Sequence, residues 1–81
     1  MKREDIILTT KQFLSDEFEV DAALIQPENN LQQTLDLDSL DYVDLVVVIE
    51  ENLGIKPTAE DFKAIETFND FYDMVEQRLN G

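Results

Sequence analysis

The residues best suited to chemistry are Ser39 and the carboxylates beside it, within the stretch LDLDSLDYVDLVVVIEEN at residues 35–52. Asp38 precedes the serine directly, and Asp41 follows two residues later. Ser39 is not the nucleophile of a serine–histidine–aspartate triad, because the chain contains no histidine. Serine is also a preferred N-cap residue of helices. The residue type alone therefore favours a helix cap, and a chemical role for Ser39 has to rest on its surroundings.

A metal site is not predicted. The chain has neither cysteine nor histidine, so the usual protein ligands of zinc and copper are missing. A calcium loop that begins at Asp36 fails as well, because its sixth position is Asp41 instead of glycine and its twelfth is Val47 instead of glutamate. The lack of cysteine also excludes disulfides and thiol chemistry by the chain's own side chains.

The charge of the chain is strongly one-sided. Its 81 residues include 19 acidic and 6 basic ones, which gives a net charge of −13. No lysine or arginine lies between Lys11 and Lys56. Such a surface repels nucleic acid and anionic lipid, and it attracts basic patches on proteins. Solubility is the ordinary explanation of an acidic chain, but the one-signed middle segment favours a basic protein partner.

The length predicts a single domain over residues 1–81, with a modest core and marginal stability. A cleft with walls on several sides is hard to build from so few residues, which favours a binding, carrier or regulatory protein over an enzyme. The beginning of the chain, MKREDIILTT, has only three consecutive apolar residues, and no stretch approaches membrane-spanning length. We therefore expect a cytoplasmic protein. The small size and the exposed acidic surface favour a monomer.

Two long helices are predicted from hydrophobic periodicity in the first two thirds of the chain. The first runs from Glu4 to Phe18 and the second from Ser39 to Leu53. Gly54 stands where a glycine commonly ends a helix. The run LVVVI has high strand propensity, but it lies inside a longer pattern of helical period, so we predict helix there and no strand in the chain.

Capping-box spacing predicts two more helices. Thr58 and Asp61 begin a short third helix, and Thr67 and Asp70 begin a fourth. Residues 19–38 form a long first loop, whose scattered leucines predict contact with the core and leave room for a helical turn. The predicted fold is all-α: a four-helix bundle with three longer helices, one short helix and a long first loop.

The second predicted helix has more apolar surface than one packing contact needs. On a helical wheel of about 100° per residue, one side is an adequate core face: Tyr42, Leu45, Val46, Ile49 and Leu53. The opposite side mixes apolar and acidic residues: Leu40, Asp44, Val47, Val48 and Glu51, with Val43 at the margin. Coverage by another helix or by the long loop is one explanation. A docking strip with an apolar middle and a charged rim is the other.

The acids of this helix differ in what local stability explains. Asp38 and Asp41 lie near the N-terminus, where the helix dipole favours negative charge by roughly 0.3–1 kcal/mol, so capping accounts for both. Glu50 and Glu51 lie near the C-terminus, where the same interaction is unfavourable. A basic partner accounts for Glu50 and Glu51 better than the helix itself does.

These features together resemble the acyl carrier protein family. The mark of the family is Asp-Ser-Leu at the start of the second helix, here Asp38-Ser39-Leu40, followed by an acid, here Asp41. An apolar helix that ends in acids comes next, here LVVVIEEN. The tripeptide alone is a weak signal. Its place in a chain of this length, with the acidic second helix, the long first loop and the short third helix, makes the resemblance specific over essentially the whole chain.

The resemblance implies a carrier that is not an enzyme. A transferase is expected to attach 4′-phosphopantetheine from coenzyme A to the hydroxyl of Ser39, with Asp38 and Leu40 beside it. The arm ends in a thiol that holds acyl groups as thioesters and presents them to fatty acid or polyketide-type biosynthetic enzymes. In many members the acyl chain is sheltered between the helices. The resemblance also implies a docking surface for basic patches of those enzymes: Asp41, Val43, Asp44, Val47, Glu50 and Glu51.

Two alternatives remain open at this point. One is a carrier of amino acids, and the other is an unmodified acidic helical adaptor that binds a basic partner and does not use the hydroxyl. Three departures from the family pattern concern the subfamily: Asp36 where glycine is frequent, Tyr42 where the residue is usually smaller, and an unusual front part of the first loop. They favour a specialised carrier over the one that serves bulk fatty acid synthesis.

Overall fold

The computed structural model describes residues 2–80, which hold five α-helices and one 3₁₀ turn. The helices are α1 (Arg3–Phe18), α2 (Leu31–Leu35), α3 (Asp41–Leu53), α4 (Ala59–Ala64) and α5 (Phe68–Asn80). The 3₁₀ turn spans Ala22–Leu24. Because these residues contain no strand and three of the helices are long, the predicted all-α bundle is confirmed. The 3₁₀ turn and α2 occupy the first loop, in which the sequence leaves room for a helical turn.

One apolar core is enclosed by the long helices, with α1 packed against both α3 and α5. Its most deeply buried side chains come from all three of these helices: Ile6, Leu14, Leu45, Ile49, Phe71 and Val75. Each of them lies on the apolar stripe that helical periodicity predicts. The guanidinium of Arg3 joins the start of α1 to the middle of α5, with Nη1 2.9 Å from Oδ1 of Asp73 and 3.3 Å from Oε1 of Glu76.

The long first loop is fastened to the beginning of α5 by backbone hydrogen bonds. The amide of Leu31 donates to the carbonyl of Glu66 at 3.0 Å, and the amide of Phe68 donates to the carbonyl of Asn29 at 3.2 Å. Four apolar side chains of the loop are also buried: Ile25, Leu31, Leu35 and Leu37. The predicted contact between loop and core is therefore confirmed, although Leu24 stays exposed.

The predicted starts of α4 and α5 and the predicted end of α3 are confirmed. At α4, the amide of Thr58 donates to Oδ2 of Asp61 at 2.8 Å, and the amide of Asp61 donates to Oγ1 of Thr58 at 3.3 Å. Thr67 and Asp70 exchange the same pair of bonds at α5, both at 3.2 Å. Gly54 ends α3 in the left-handed region at φ 74°, where glycine is favoured.

Candidate functional site

The turn that carries Ser39 is held on its N-terminal side by the end of α2. Asp36 adopts a left-handed conformation at φ 52°, and its amide donates to the carbonyl of Gln33 at 3.3 Å. The amide of Leu37 donates to the carbonyl of Gln32 at 3.0 Å, which gives the bonding pattern of a Schellman motif. The side chain of Leu37 is buried. The chain is therefore anchored two residues before Ser39.

On the other side of the turn, Asp38 and Asp41 cap α3. Oδ1 of Asp38 accepts from the amide of Leu40 at 2.8 Å and from the amide of Asp41 at 3.2 Å. Oδ2 of Asp41 accepts from the amide of Asp38 at 3.0 Å. These reciprocal bonds have the pattern of a capping box with aspartate in both positions. The capping predicted for the two aspartates is confirmed, and Ser39 lies next to the N-cap residue instead of being it.

The hydroxyl of Ser39 does not help to hold the turn together. Ser39 is exposed, and its hydroxyl makes no hydrogen bond with any of residues 2–80. The amides of Leu40 and Asp41 are already bonded to Asp38, so they are not offered to an external anion as free helix N-terminal amides are. The hydroxyl is therefore accessible to another molecule, and the cap of α3 does not depend on it.

A cavity of about 560 Å³ adjoins Ser39 and lies between α2, α3 and α4. Its volume is within the range of about 300–1,000 Å³ that is typical of small-molecule sites. The side chains that line it are both apolar and polar, and they include Leu31, Gln32, Tyr42, Phe62, Lys63 and Ile65. The rings of Tyr42 and Phe62 meet between α3 and α4, with centroids 5.1 Å apart and planes tilted by 56°.

Sequence reasoning did not find this cavity. The sequence places Tyr42 on the core face of α3 and marks it as larger than is usual in the family, and it gives Phe62 no role. The walls come from helices that are separated along the chain, so no local period marks them. The one signal available was an aromatic residue on each of the two helices that close the cavity.

The outer face of α3 is partly as predicted. Leu40, Val43 and Val47 are 77%, 65% and 50% exposed, so neither a helix nor the loop covers them. The prediction was wrong for Val48, which was assigned to this outer face but is only 8% exposed. Val46 was assigned to the core face and is only half-buried. The rest of the bundle therefore packs against a face of α3 that lies closer to Val48 than the helical wheel predicts.

Acidic side chains surround the three exposed apolar residues of α3. Four of the acids are exposed and one is half-buried: Asp38, Asp44, Glu50 and Glu51, and Asp41. Within residues 2–80, the ion pairs form elsewhere, between α1 and α5 and between α4 and α5. We call Leu40, Asp41, Val43, Asp44, Val47, Glu50 and Glu51 the α3 surface. Its negative charge is not neutralised by a basic side chain of the described residues.

None of the helices in residues 2–80 has the length and apolar character that crossing a membrane requires. The described residues also hold no cluster of three or more side chains suited to bind a metal ion.

Comparison with known proteins gives consistent matches along the chain. A family model described as "Phosphopantetheine attachment site" matches residues 10–75. The acyl carrier protein of Coprothermobacter proteolyticus is 37% identical over 79 residues, which cover 98% of this chain and 96% of that protein. Acyl carrier protein 2 of Ralstonia nicotianae is 33% identical over 79 residues, 98% of both chains. The acyl carrier protein of Thermotoga maritima is 35% identical over 77 residues, 95% of both chains.

The chain belongs to the acyl carrier protein family. It is therefore an acyl carrier in biosynthesis that bears a phosphopantetheine arm and does not itself catalyse a reaction. The resemblance carried by Asp38-Ser39-Leu40 and the acidic helix after it predicted this family, its prosthetic group and its carrier role, and all three are confirmed. A carrier of this kind works with biosynthetic enzymes and with a phosphopantetheinyl transferase.

Proposed function

We propose that Ser39 is the residue to which the 4′-phosphopantetheine arm is attached. The observation that carries this proposal is the free hydroxyl of Ser39 in a turn that Asp38 and Asp41 hold by their own bonds. A hydroxyl that caps nothing can be esterified without unfolding the start of α3. The cavity beside it supports the proposal, because it offers the arm and its cargo a place next to the point of attachment.

When bound, the arm supplies a thiol that holds acyl groups as thioesters. The chain's own residues hold the attachment point, cover part of the cargo and present a surface to other enzymes. Asp38 fixes the turn, and Leu40 stands exposed directly after the serine, where it is available to the transferase. Leu31, Phe62 and Ile65 offer apolar contacts inside the cavity.

The α3 surface is the proposed docking site for the transferase and for acyl-transferring and chain-elongating enzymes. The α3 surface has exposed valine and leucine side chains in the middle and carboxylates around them. This is the usual composition of an interface, apolar at the centre and polar at the rim. The carboxylates attract basic patches and speed association. Glu50 and Glu51 support this proposal most, because the end of α3 gains nothing from them.

The proposed pathway class is fatty acid or polyketide-type synthesis. The strongly acidic α3 surface favours it over a carrier of amino acids. The proposal places the carrier in the cytoplasm, together with the transferase and its donor, coenzyme A. We propose that residues 1–81 form one domain, and the single core of the described residues supports this. A net charge of −13 opposes self-association and supports a monomer.

Intact mass tests the attachment site. The protein is weighed before and after incubation with coenzyme A and a broad-specificity phosphopantetheinyl transferase. We expect the wild type to gain one phosphopantetheine and Ser39→Ala to gain none. Ser15→Ala is the matched control, because Ser15 is the other serine of the chain and lies in α1. It should gain the group as the wild type does.

Two outcomes would contradict the proposal. A gain on Ser39→Ala would place the arm on another residue. No gain on a folded wild type that carried no group at the start would instead support the unmodified acidic adaptor. In that case Ser39→Ala would also leave the binding of a basic partner unchanged.

A further inference from the structure

The aromatic rings of Tyr42 and Phe62 beside Ser39 form part of the floor that separates the cavity from the helical core. Tyr42, Phe62 and Ile65 line the cavity, and the same three side chains pack, partly buried, against the core. Leu31 also lines the cavity and is itself a buried core residue. These four side chains are the floor of the cavity. The core they adjoin is closed to solvent, as its fully buried members show: Leu45, Ile49, Phe68 and Phe71.

Apart from Ala59, the rest of the lining is polar. Asn30, Gln32, Lys63 and Glu66 complete the cavity together with Ser39. An alkyl chain that lies in the cavity is therefore covered by apolar atoms mainly where it touches the floor. Once the floor is occupied, further carbons meet polar side chains or water, and their burial adds little stability.

We propose that the contact between Tyr42 and Phe62 limits the length of the acyl group that this carrier shelters. This inference rests on the proposed function, because the cargo reaches the cavity from an arm on Ser39. A short or medium acyl group lies against the floor and leaves the rings in contact. A long one has to enter between α3 and α4, where it separates the two rings and disturbs a close-packed core. The sheltered cargo is therefore the class of short and medium acyl groups.

A series of acyl groups tests the limit. Acetyl, butyryl, octanoyl, dodecanoyl and palmitoyl groups are loaded from their coenzyme A esters by a broad-specificity transferase. The melting temperature of each product is compared with that of the same protein carrying the arm alone. For the wild type, we expect the melting temperature to rise as far as octanoyl and to rise no further up to palmitoyl.

Variants of the two rings should move this limit. Phe62→Leu keeps an apolar side chain and removes the ring, so the rise should continue to dodecanoyl. Tyr42→Leu should move the limit in the same direction. Leu8→Ala is the control, because Leu8 is exposed on α1, does not line the cavity and is not part of the α3 surface, and its limit should equal that of the wild type. Comparing each variant with its own unacylated form removes any loss of stability caused by the substitution.

A second series makes this test independent of the transferase. Ser39→Cys introduces the one thiol of the chain, and N-alkyl maleimides of increasing length attach to it directly. Because the maleimide is shorter than the arm, the limit should come at a longer alkyl chain, yet it should still shift upward in Phe62→Leu. If the wild type cannot be loaded with the arm, the proposed function fails while this series still measures the length limit.

Two results would overturn the inference. One is a melting temperature that keeps rising up to palmitoyl in the wild type. The other is the same limit in Phe62→Leu and Tyr42→Leu as in the wild type, which would mean that the rings do not set it.

Discussion

Asp38 and Asp41 hold each other across Ser39, since the carboxylate of each accepts a hydrogen bond from the backbone amide of the other, at 3.0 and 3.2 Å. Ser39 and Leu40, the two residues between them, are both exposed. The aspartates thus perform the capping that serine often performs, and the serine hydroxyl stays available. Acids that would be assigned to partner recognition by their charge therefore have a structural role as well.

The first prediction separates the cap from the charge of Asp38. Asp38→Ala removes the acceptor for the amides of Leu40 and Asp41, so the free energy of unfolding should fall by about 0.5–2 kcal/mol. Asp38→Asn should keep most of this energy, because asparagine caps helices about as well as aspartate does. Urea denaturation measures both. An equal loss in the two variants would show that the negative charge matters at this position and the cap does not.

The second prediction concerns the α3 surface. Asp44→Lys and Glu51→Lys should each lower kcat/KM for loading by the transferase by about tenfold, which corresponds to about 1.4 kcal/mol. Asp16→Lys makes the same change of charge at an exposed acid of α1 and should have a much smaller effect. The differences should shrink at high salt, because exposed charges are screened. If all three variants lose activity alike, the net charge and not the α3 surface determines recognition.

The third prediction uses Glu19 at 54° and Asp36 at 52°, the two residues other than glycine that have positive φ within residues 2–80. The left-handed conformation costs L-residues roughly 1–2 kcal/mol, and aspartate tolerates it better than glutamate. Glu19→Gly should therefore raise the free energy of unfolding by about 0.5–1 kcal/mol, net of the chain entropy that glycine loses. Asp36→Gly should raise it by less.

Both of these substitutions remove one negative charge, so the charge itself cancels in the comparison. Chemical denaturation of the two variants gives the difference. A larger gain at Asp36 than at Glu19 would mean that the end of α2 is strained beyond its backbone conformation.

The fourth prediction is a pH dependence at the start of α5. The amides of Glu66 and Thr67 donate to Oδ2 of Asp70, and these bonds lower the pKa of Asp70 below its ordinary value of 3.8. A carboxyl whose pKa is lower in the folded state contributes stability above its unfolded pKa and loses it as the pH falls through the folded pKa. The wild type should therefore be more stable than Asp70→Asn at pH 7, and this advantage should disappear below the folded pKa.

Denaturation curves of both proteins at several pH values measure this gap. Asp16→Asn is the control, because Asp16 is exposed and forms no hydrogen bond or ion pair with a side chain or amide of residues 2–80. Its difference from the wild type should not close in the same way. A gap at Asp70 that stays constant through acid pH would show that the carboxylate is not stabilised by these amides.

Much of the molecule was predictable because its determinants are local. Capping boxes need residues three apart, and Thr58 with Asp61 and Thr67 with Asp70 start α4 and α5 as their spacing indicates. A glycine after an apolar helix predicts its end, and Gly54 confirms it. The apolar stripes have the helical period, so they identify most of the core. The exposed serine motif follows from short-range order too, since Asp38 and Asp41 fold the turn around Ser39.

The remaining features depend on which helices meet, and periodicity contains no such information. A helical wheel places Val46 and Val48 on opposite sides of α3, but the direction from which the bundle covers α3 decides that Val48 is buried and Val46 only half so. The pairing of the first loop with α5 joins residues more than thirty positions apart. The cavity beside Ser39 is lined by Tyr42 and Phe62, which are twenty residues apart along the chain and whose ring centroids lie 5.1 Å apart. Contacts of this kind arise from packing the whole chain, and they determine what the carrier can shelter.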